Sequence, residues 1–340
     1  MNSIIEFHIG QFSYGSDLLP GEAEKLLDAM IGSEAETLLA NLFYVWNRKG
    51  ISADEIYAIA EVMRRRMTRV RPNHETFVDI VGTGGSISKT FNVSTAASFI
   101  VAGAGVPVAK HGNKAATSNT GSSDVLSELQ IDPAVSPAKA EQCLNEIGIC
   151  FMFAPNYHRL SPTLAKVRRG LGFPTIFNCV GPLCNPASAP HQLIGVWDEE
   201  LVRPIADALS KLGAKRSWIV FGEGGLDEIA LSGWTKVAEV DGKDVKTFDI
   251  TPEYFGFESA STHGLRSNDP SHSSEMIRNV LLGKPHSQAA ENLVLINAAA
   301  ALYLAGAAAT PAEAAPLARS SLQSGRAHSK MEELAKAIPV

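Results

Sequence analysis

The chain has 340 residues, of which 45% are hydrophobic and 19% are charged, and its formal net charge is −6. This length is typical of about two domains, and the composition excludes a disordered or fibrous protein. The acidic balance argues against a broad surface for nucleic acid, which usually needs an excess of lysine and arginine.

The sequence carries no sign of export or of membrane insertion. No uninterrupted apolar run approaches the length that a spanning helix needs. The first 15 residues lack the basic start and apolar core of a signal peptide. The four cysteines form neither a disulfide framework nor a paired zinc motif. We therefore expect a cytoplasmic protein that binds neither membrane nor nucleic acid.

Residues 1–72 have the pattern of a small helical domain. An apolar stripe predicts a helix over 22–30, and two further helices are expected to begin at Ser-x-x-Glu capping boxes at 33–36 and 52–55. Short loops join the three helices, so we expect them to form one unit.

Beyond residue 73 the pattern changes to short apolar runs that alternate with helical stretches. The apolar runs predict strands over 77–81, 106–109, 149–153, 192–197 and 218–221. The stretches between them predict helices over 94–104, 137–147, 162–171 and 199–212. Such alternation is typical of a parallel sheet. We predict an α/β protein with a small helical domain and a large α/β domain, whose central, mostly parallel sheet is flanked by helices.

Two later stretches complete this prediction. The alanine-rich stretch 292–308 predicts a helix that packs closely against its neighbours. The polar stretch 259–274 predicts an exposed connection.

A glycine-rich loop, 82–86, follows the first predicted strand and precedes a helix. Its glycines allow a tight turn, and the N–H groups at the start of the helix suit phosphate. Thr83 and Ser88 break the Walker A spacing, and Ile87 replaces the last glycine of the dinucleotide pattern. Taken alone, a plain strand-to-helix turn is the simpler interpretation.

Two further loops follow predicted strands. The loop 110–124 contains Lys110 and several hydroxyl groups, which can bind phosphate, although a solvated polar loop has the same composition. The loop 222–228 ends in Asp227 and Glu228, adjacent carboxylates that suit Mg²⁺ but are also common on surfaces. Because parallel strands end at one edge of a sheet, we expect the three loops to lie together there.

A fourth segment carries His158 and Arg168. Arg168 and Arg169 lie near the end of a predicted helix, where the helix dipole stabilises cations. Arginine also binds carboxylates through paired hydrogen bonds. The segment is therefore either a solvated helix end or part of a site for an organic acid.

Taken in chain order, these segments resemble the anthranilate phosphoribosyltransferase family, which has the nucleoside phosphorylase/phosphoribosyltransferase fold. The resemblance covers nearly the whole chain and is carried by DIVGTGG at 79–85, TFNVST at 90–95, KHGN at 110–113, VRR at 167–169, GPL at 181–183, NPA at 185–187 and GLDEI at 225–229. It implies transfer of the phosphoribosyl group of phosphoribosyl diphosphate (PRPP) to the amine of anthranilate, with release of diphosphate, in tryptophan biosynthesis.

The resemblance also implies an architecture and a cofactor. The chain would form a homodimer through the helical domain and would use Mg²⁺. The segment 158–186 would join residues 1–72 in the helical domain. The α/β domain that binds the phosphoribosyl group would then consist of 73–157 and 187–340.

By residue-for-residue match, the resemblance assigns four sets of site residues. PRPP would contact Gly82, Gly85, Ser86, Thr90, Asn92, Ser94, Thr95, Lys110, Asn113, Thr117, Ser118 and Ser122. Anthranilate would contact Gly82, His111, Asn113, His158, Arg168 and Pro182. Mg²⁺ would be held by Ser94, Asp227 and Glu228, and the catalytic residues would be Lys110, Asn113 and Arg168.

The chain departs from the family pattern in the glycine-rich loop, where Ser86 and Ile87 replace the usual Asp-Gly. We hypothesise that Ser86, with Lys89, changes how the diphosphate is held. The alternatives are a paralogue that ribosylates another aromatic acceptor and a nucleic-acid-binding relative of the same fold. The second would lose the Gly-Thr-Gly-Gly and Lys-His-Gly-Asn loops and gain a basic groove, whereas this chain keeps both loops and a charge of −6.

Overall fold

The computed structural model describes residues 1–19, 21–84, 90–113, 121–267 and 269–340. The strands are β1 (Val78–Gly82), β2 (Val108–Gly112), β3 (Ile149–Phe153), β4 (His191–Gly195), β5 (Arg216–Gly222), β6 (Thr235–Asp241) and β7 (Asp244–Ile250). The helices of the first half are α1 (Asn2–Ser13), α2 (Ala23–Gly32), α3 (Glu36–Lys49), α4 (Ala53–Arg66), α5 (Val93–Gly103), α6 (Ser122–Glu128), α7 (Pro137–Ile147), α8 (Pro162–Gly170) and α9 (Ile176–Val180). Those of the second half are α10 (Val202–Lys211), α11 (Pro270–Leu281), α12 (Gln288–Leu304), α13 (Pro311–Gln323) and α14 (Arg326–Ala337).

The strands form one sheet in the order β3-β2-β1-β4-β5-β6-β7. The first five in this order are parallel, and β6 and β7 form an antiparallel hairpin at one end. The predicted α/β class, with a central and mostly parallel sheet flanked by helices, is confirmed. The sequence prediction found the five parallel strands within a few residues but missed β6 and β7, because β7 is largely exposed and carries no apolar run.

Four helices, α1 to α4, make up the N-terminal region, and α1 was not predicted. The capping box at 52–55 is confirmed, because Ser52 N donates to Glu55 Oε2 at 2.9 Å and Ser52 Oγ accepts from Glu55 N at 3.4 Å. The capping box at 33–36 is wrong. Helix α3 begins at Glu36 with Ala35 as its N-cap, because Ser33 Oγ accepts from Ala35 N and so serves the turn before the helix.

Two hydrophobic cores lie on opposite faces of the sheet. The first packs α5, α7 and the C-terminal helices α12 to α14 on one face, with Val78 and Ile80 of β1 in contact with them. The second joins α1 to α4, α9 and α10 to the other face, through Val81 of the same strand. Helix α8 packs on α2 and α3, and α9 packs on α4. The segment 158–186 therefore lies against the N-terminal helices, while its assignment to a separate domain stays a prediction.

Most described residues of the polar stretch 259–274 are exposed or partly exposed, as predicted, but four of them are buried. Leu265 is 4% exposed and Ser267 is 3% exposed, and α11 begins at Pro270 within the stretch. The stretch is anchored at these buried positions by hydrogen bonds inside the protein. Ser273, which is completely buried, bonds to Asn92, and the Leu265 carbonyl accepts from the N–H of Phe91.

The alanine-rich stretch forms α12, whose residues are almost all buried between the sheet and α5 and α13. Its small side chains allow this close approach, as the sequence predicted. Within the described ranges, no helix combines the length and apolar character needed to cross a lipid bilayer.

Candidate functional site

The described parts of the three loops singled out in the sequence begin at one edge of the sheet. Strands β1, β2, β4 and β5 end in Gly82, Gly112, Gly195 and Gly222. Gly82 pairs with Gly195 in the parallel register, and β2 and β5 run in the same direction on either side of this pair. The predicted grouping of the three loops at this edge follows from that parallel register.

The acidic loop lies on the ends of these strands because glycine leaves room for it. A Cβ atom at Gly195 would lie 1.6 Å from the carbonyl oxygen of Asp227, and one at Gly82 would lie 2.7 Å from Asp227 Oδ2. A Cβ at Gly222 would lie 2.7 Å from the carbonyl oxygen of Glu228. Sequence analysis missed the role of Gly195 and Gly222, although a glycine that ends each neighbouring strand was a visible signal.

Glu228 is held at this edge in an environment that disfavours its charge. Burial, and then the nearby charge of Asp227, raise the pKa of Glu228 well above its ordinary value. Thr90 Oγ1 donates to Glu228 Oε2 at 2.9 Å and opposes this shift. A cation bound between the two neighbouring carboxylates would therefore offset both the burial of Glu228 and its repulsion by Asp227.

The donor set here suits a hard cation. Asp227 and Glu228 supply carboxylate oxygens, and the backbone of Ser94, at the start of α5, hydrogen-bonds to Glu228. Among the described residues, no cluster of three or more His, Cys, Asp or Glu side chains could hold a metal ion. Two carboxylates completed by water and phosphate oxygens are typical of Mg²⁺, which seldom uses a cage made only of protein ligands.

Lys110 occupies the floor of the site rather than its surface. It is 2% exposed, and its Nζ donates to the carbonyl oxygen of Ile80 and to Ser94 Oγ, the latter at 3.2 Å. Burial lowers the pKa of Lys110 to about 8, while the negative charges of Asp79 and Glu228 oppose this shift. A buried cation therefore contacts the hydroxyl of Ser94, the residue whose backbone hydrogen-bonds to Glu228.

Asp79 is a buried carboxylate in the middle of β1, and its role was not found from the sequence. Its Oδ1 accepts from the N–H of His111 at 3.1 Å, and its Oδ2 accepts from Asn185 Nδ2 at 2.7 Å. Asn185 Nδ2 also donates to the carbonyl oxygen of Ala109. Burial raises the pKa of Asp79 to about 6, partly offset by the charge of Lys110. The sequence signal was a charged residue inside an otherwise apolar strand. Through these hydrogen bonds Asp79 connects β2 and the 185–187 segment to β1.

Two histidines form a pair next to the 181–183 segment. His111 Nε2 and His158 Nε2 lie 3.3 Å apart, and both residues are buried. The backbone of Gly181 hydrogen-bonds to His111, and Gln192 Nε2 holds the carbonyl oxygen of Pro182 at 3.0 Å. Burial lowers the pKa of His158 to about 4 and that of His111 well below its ordinary value. His111, His158 and Pro182, separated in sequence, are thus brought together by the fold.

We expect both histidines to remain neutral throughout the physiological range. Their ring signals in NMR spectra should not move between about pH 5.5 and 8, because burial disfavours the imidazolium ion. In the unfolded chain both rings would take up a proton near pH 6.5, so the free energy of unfolding should fall as the pH drops below that value. A His158→Asn variant assigns the signal, and a midpoint near pH 6.5 for either ring would contradict this account.

Arg168 is a cation whose guanidinium lacks an anionic partner in the described chain. It lies in the last turn of α8, and its guanidinium carbon is 4.8 Å from the centre of the Phe177 ring. Its Nε is buried and has no hydrogen-bond partner among the described residues. Burial lowers the pKa of Arg168 to about 10. Such a group suits an external carboxylate, whereas its neighbour Arg169 is exposed and fits a solvated helix end.

The remaining assigned residues fall into two groups. Those that the structure describes lie at the ends of β1 and β2 or at the starts of α5 and α6: Gly82, Thr90, Asn92, Ser94, Thr95, Asn113 and Ser122. Thr95 is completely buried, and its Oγ1 has no hydrogen-bond partner among the described residues. Gly85, Ser86, Thr117 and Ser118 lie outside the described residues, as does Lys89. The hypothesis about Ser86 and Lys89 therefore stays a prediction.

Comparison with known proteins places this fold and site in a class of enzymes. Residues 74–328 match the model of the glycosyl transferase family, a/b domain. This match covers the whole sheet and all four strand ends that form the site.

Similar proteins of known family narrow the assignment within these glycosyl transferases. The chain is 41% identical over 330 residues to the anthranilate phosphoribosyltransferase of Azorhizobium caulinodans, covering 97% of this chain and 95% of the relative. It is 43% identical over 323 residues to that of Rubrobacter xylanophilus, covering 95% and 94%. The anthranilate phosphoribosyltransferase structure from Thermus thermophilus superposes with a TM-score of 0.87 at 34% identity, covering 97% of this chain and 98% of that one. The chain belongs to the anthranilate phosphoribosyltransferase family.

Proposed function

We propose that this chain transfers the phosphoribosyl group of PRPP to the amine of anthranilate and releases diphosphate, as a step of tryptophan biosynthesis. Two observations carry the proposal: the acidic loop packed on the glycines that end the strands, and Arg168 on α8, whose buried Nε lacks a hydrogen-bond partner among the described residues. The first feature suits a metal-bound diphosphate, and the second suits the carboxylate of an aromatic acid. A structural relative from Saccharomyces cerevisiae, 27% identical with a TM-score of 0.87, was solved in complex with PRPP and Mg.

Mg²⁺ would be held by Asp227, Glu228 and the hydroxyl of Ser94. When bound, the ion would neutralise negative charge on the leaving diphosphate. Residues that do not contact the ion would support its ligands. Thr90 orients Glu228, and Lys110 donates to Ser94 at 3.2 Å from the floor of the site. The N–H groups at the start of α5 add partial positive charge toward the same region.

Departure of diphosphate leaves positive charge on the ribose, as in glycoside cleavage. The attacking nitrogen of anthranilate is an aniline, which is neutral at pH 7 and already carries its lone pair. A strong general base is therefore not needed, and orientation of the two substrates supplies most of the rate. The neutral His111 and His158 pair fits this scheme, because it offers a polar wall without a charge that would compete with Arg168 for the carboxylate.

We also propose that the chain is a cytoplasmic homodimer that associates through its N-terminal helices. Several large apolar side chains are exposed there, and three of them, Phe7, Tyr14 and Leu19, line one shallow groove along α1. Phe7 is 61% exposed and Tyr14 is 91% exposed, which favours burial against a second copy. All four cysteines are buried free thiols, as expected in a reducing compartment.

An acceptor panel tests the proposed reaction. Purified protein is given PRPP and Mg²⁺ with anthranilate, 3-aminobenzoate, 4-aminobenzoate or benzoate, and diphosphate release is followed with a coupled enzyme. We expect anthranilate to give the highest kcat/KM and benzoate, which lacks an amine, to give no turnover. Preference for another aminobenzoate would favour the paralogue instead, and omission of Mg²⁺ provides the matched blank.

Gly195 provides a test of how the acidic loop is seated. In a Gly195→Ala variant the Asp227 backbone must move, so we expect the free energy of unfolding to fall by about 1–3 kcal/mol. The Mg²⁺ concentration for half-maximal activity should rise at the same time. Gly170→Ala is the control, because a Cβ there would meet no atom within 4 Å. An unchanged Mg²⁺ requirement in Gly195→Ala would contradict this role for Gly195.

A further inference from the structure

We propose that Ser273, on α11, is a positioning residue that fixes the side-chain amide of Asn92, so that Asn92 offers its NH₂ group to a phosphate of the donor. The proposal rests on the proposed function, because it takes PRPP as the donor. It concerns the stretch 259–274, which the sequence suggested was only a connection.

The two residues form a reciprocal pair of hydrogen bonds. Ser273 Oγ accepts from the backbone N–H of Asn92 at 2.9 Å and donates to Asn92 Oδ1 at 2.8 Å. Ser273 is completely buried, whereas Asn92 is partly exposed. The Oδ1 end of the amide is therefore fixed to α11, in a residue that is only partly buried.

The serine determines which way the amide faces. A serine hydroxyl has a single proton to donate, and Ser273 Oγ has no hydrogen-bond acceptor other than Asn92 Oδ1 among the described residues. With the amide turned over, Asn92 Nδ2 would face Ser273 and the hydroxyl proton would be buried without a partner. Leaving a buried donor unsatisfied is unfavourable, so Oδ1 faces Ser273 and Nδ2 remains available.

The position of Asn92 makes this orientation useful. Asn92 is the N-cap of α5, a place where asparagine usually accepts hydrogen bonds from the first turn, yet its side chain makes no capping bond. No hydrogen bond joins Asn92 Nδ2 to another residue in the described ranges. Thr90 and Ser94, on either side of it, contact Glu228 and Lys110. An NH₂ donor between these residues, at a helix N-terminus, suits a phosphate oxygen.

The experiment compares Ser273→Ala with a matched control on the same helix. Ser274 is 7% exposed, and its Oγ donates within its own helix, to the Ser271 carbonyl oxygen at 2.8 Å. We expect Ser273→Ala to raise the KM for PRPP about tenfold, with kcat and the KM for anthranilate within about twofold of wild type. Ser274→Ala should leave all three constants unchanged. A loss of stability alone would lower the amount of active protein without producing this split.

Variants of Asn92 separate positioning from structure. Asn92→Asp keeps the acceptors that face Ser273 but removes the NH₂ donor, so we expect at least the same increase in KM for PRPP. In the Asn92→Ala background, Ser273→Ala should have no further effect on that KM, because the two residues act as one unit. Calorimetric titration with Mg²⁺ and inorganic diphosphate measures binding without turnover. The affinity for diphosphate should fall from wild type to Ser273→Ala, and Asn92→Asp should bind no more tightly than Ser273→Ala.

The outcomes distinguish this proposal from the proposed function. Absence of any PRPP-dependent transfer in the wild type would contradict the proposed function itself. With an active wild type, a change of less than twofold in Ser273→Ala would overturn the proposal. So would an Asn92→Asp variant with wild-type KM for PRPP, or an effect of Ser273→Ala that persists in the Asn92→Ala background.

Discussion

Replacement of Arg168 by alanine should raise the KM for anthranilate about 100-fold, because a carboxylate that pairs with a poorly solvated guanidinium gains hydrogen bonds worth about 2–3 kcal/mol. The KM for PRPP should change little, since most residues proposed to bind the donor lie at the ends of β1 and β2 and at the start of α5. Arg168→Lys should recover only part of the loss, because an ammonium group cannot form the paired contact. Steady-state kinetics with each substrate varied in turn measure both effects.

The stability of the same variant separates ligand binding from a structural role. Arg168 has a buried Nε without a hydrogen-bond partner in the described chain, so its removal relieves a desolvation penalty and loses only the contact with Phe177. The free energy of unfolding should therefore stay within about 1 kcal/mol of wild type. Arg169→Ala, at an exposed neighbouring position, is the control for charge. An unchanged KM for anthranilate in Arg168→Ala would contradict the assignment.

The second large effect is expected at the acidic loop. Glu228→Gln keeps the size of the side chain and an acceptor for Thr90 but removes one of two carboxylates, so kcat/KM for PRPP should fall about 100-fold or more. Asp227→Asn should behave similarly. Initial rates over a range of Mg²⁺ concentrations should show that neither variant is restored at a concentration that saturates the wild type.

Thermal unfolding gives an independent readout. Burial and Asp227 raise the pKa of Glu228, so its stabilising contribution is fully present below about pH 4.5 and is lost as the pH rises toward the folded-state pKa. Without metal, Glu228→Gln should therefore be at least as stable as wild type at pH 7, whereas Mg²⁺ should raise the Tm of the wild type only. Glu223→Gln, at an exposed position on the same loop, is the control. Equal Mg²⁺ stabilisation of Glu228→Gln and wild type would contradict the proposed ligand set.

The sequence predicted the parts of the fold whose signals are local. Apolar runs located β1 and β3, and alternation with helices predicted the parallel sheet, which in turn predicted that Lys110 and Glu228 would lie at one edge. The capping box at Ser52 was found because its partner is three residues away. The hairpin of β6 and β7 was missed, because its outer strand has few apolar residues and depends on the sheet beside it.

The parts of the site that were missed depend on contacts between distant residues. Ser273 and Asn92 are 181 positions apart, and no local pattern connects them. The close approach of Asp227 to Gly195 is a property of the sheet register and not of either segment. The unpaired state of the Arg168 Nε in the described chain likewise emerges only when all neighbouring elements are in place. The family resemblance named several of these residues, but the structure supplies the physical reason for each position.

The proposed function requires that one site bind PRPP, anthranilate and Mg²⁺ together. The most direct test follows anthranilate consumption and diphosphate release in the same sample, with PRPP in excess. We expect one diphosphate to be released for each anthranilate consumed, and neither change to occur without Mg²⁺. Release of diphosphate at the same rate in the absence of anthranilate, or no consumption of anthranilate at all, would contradict the proposed function.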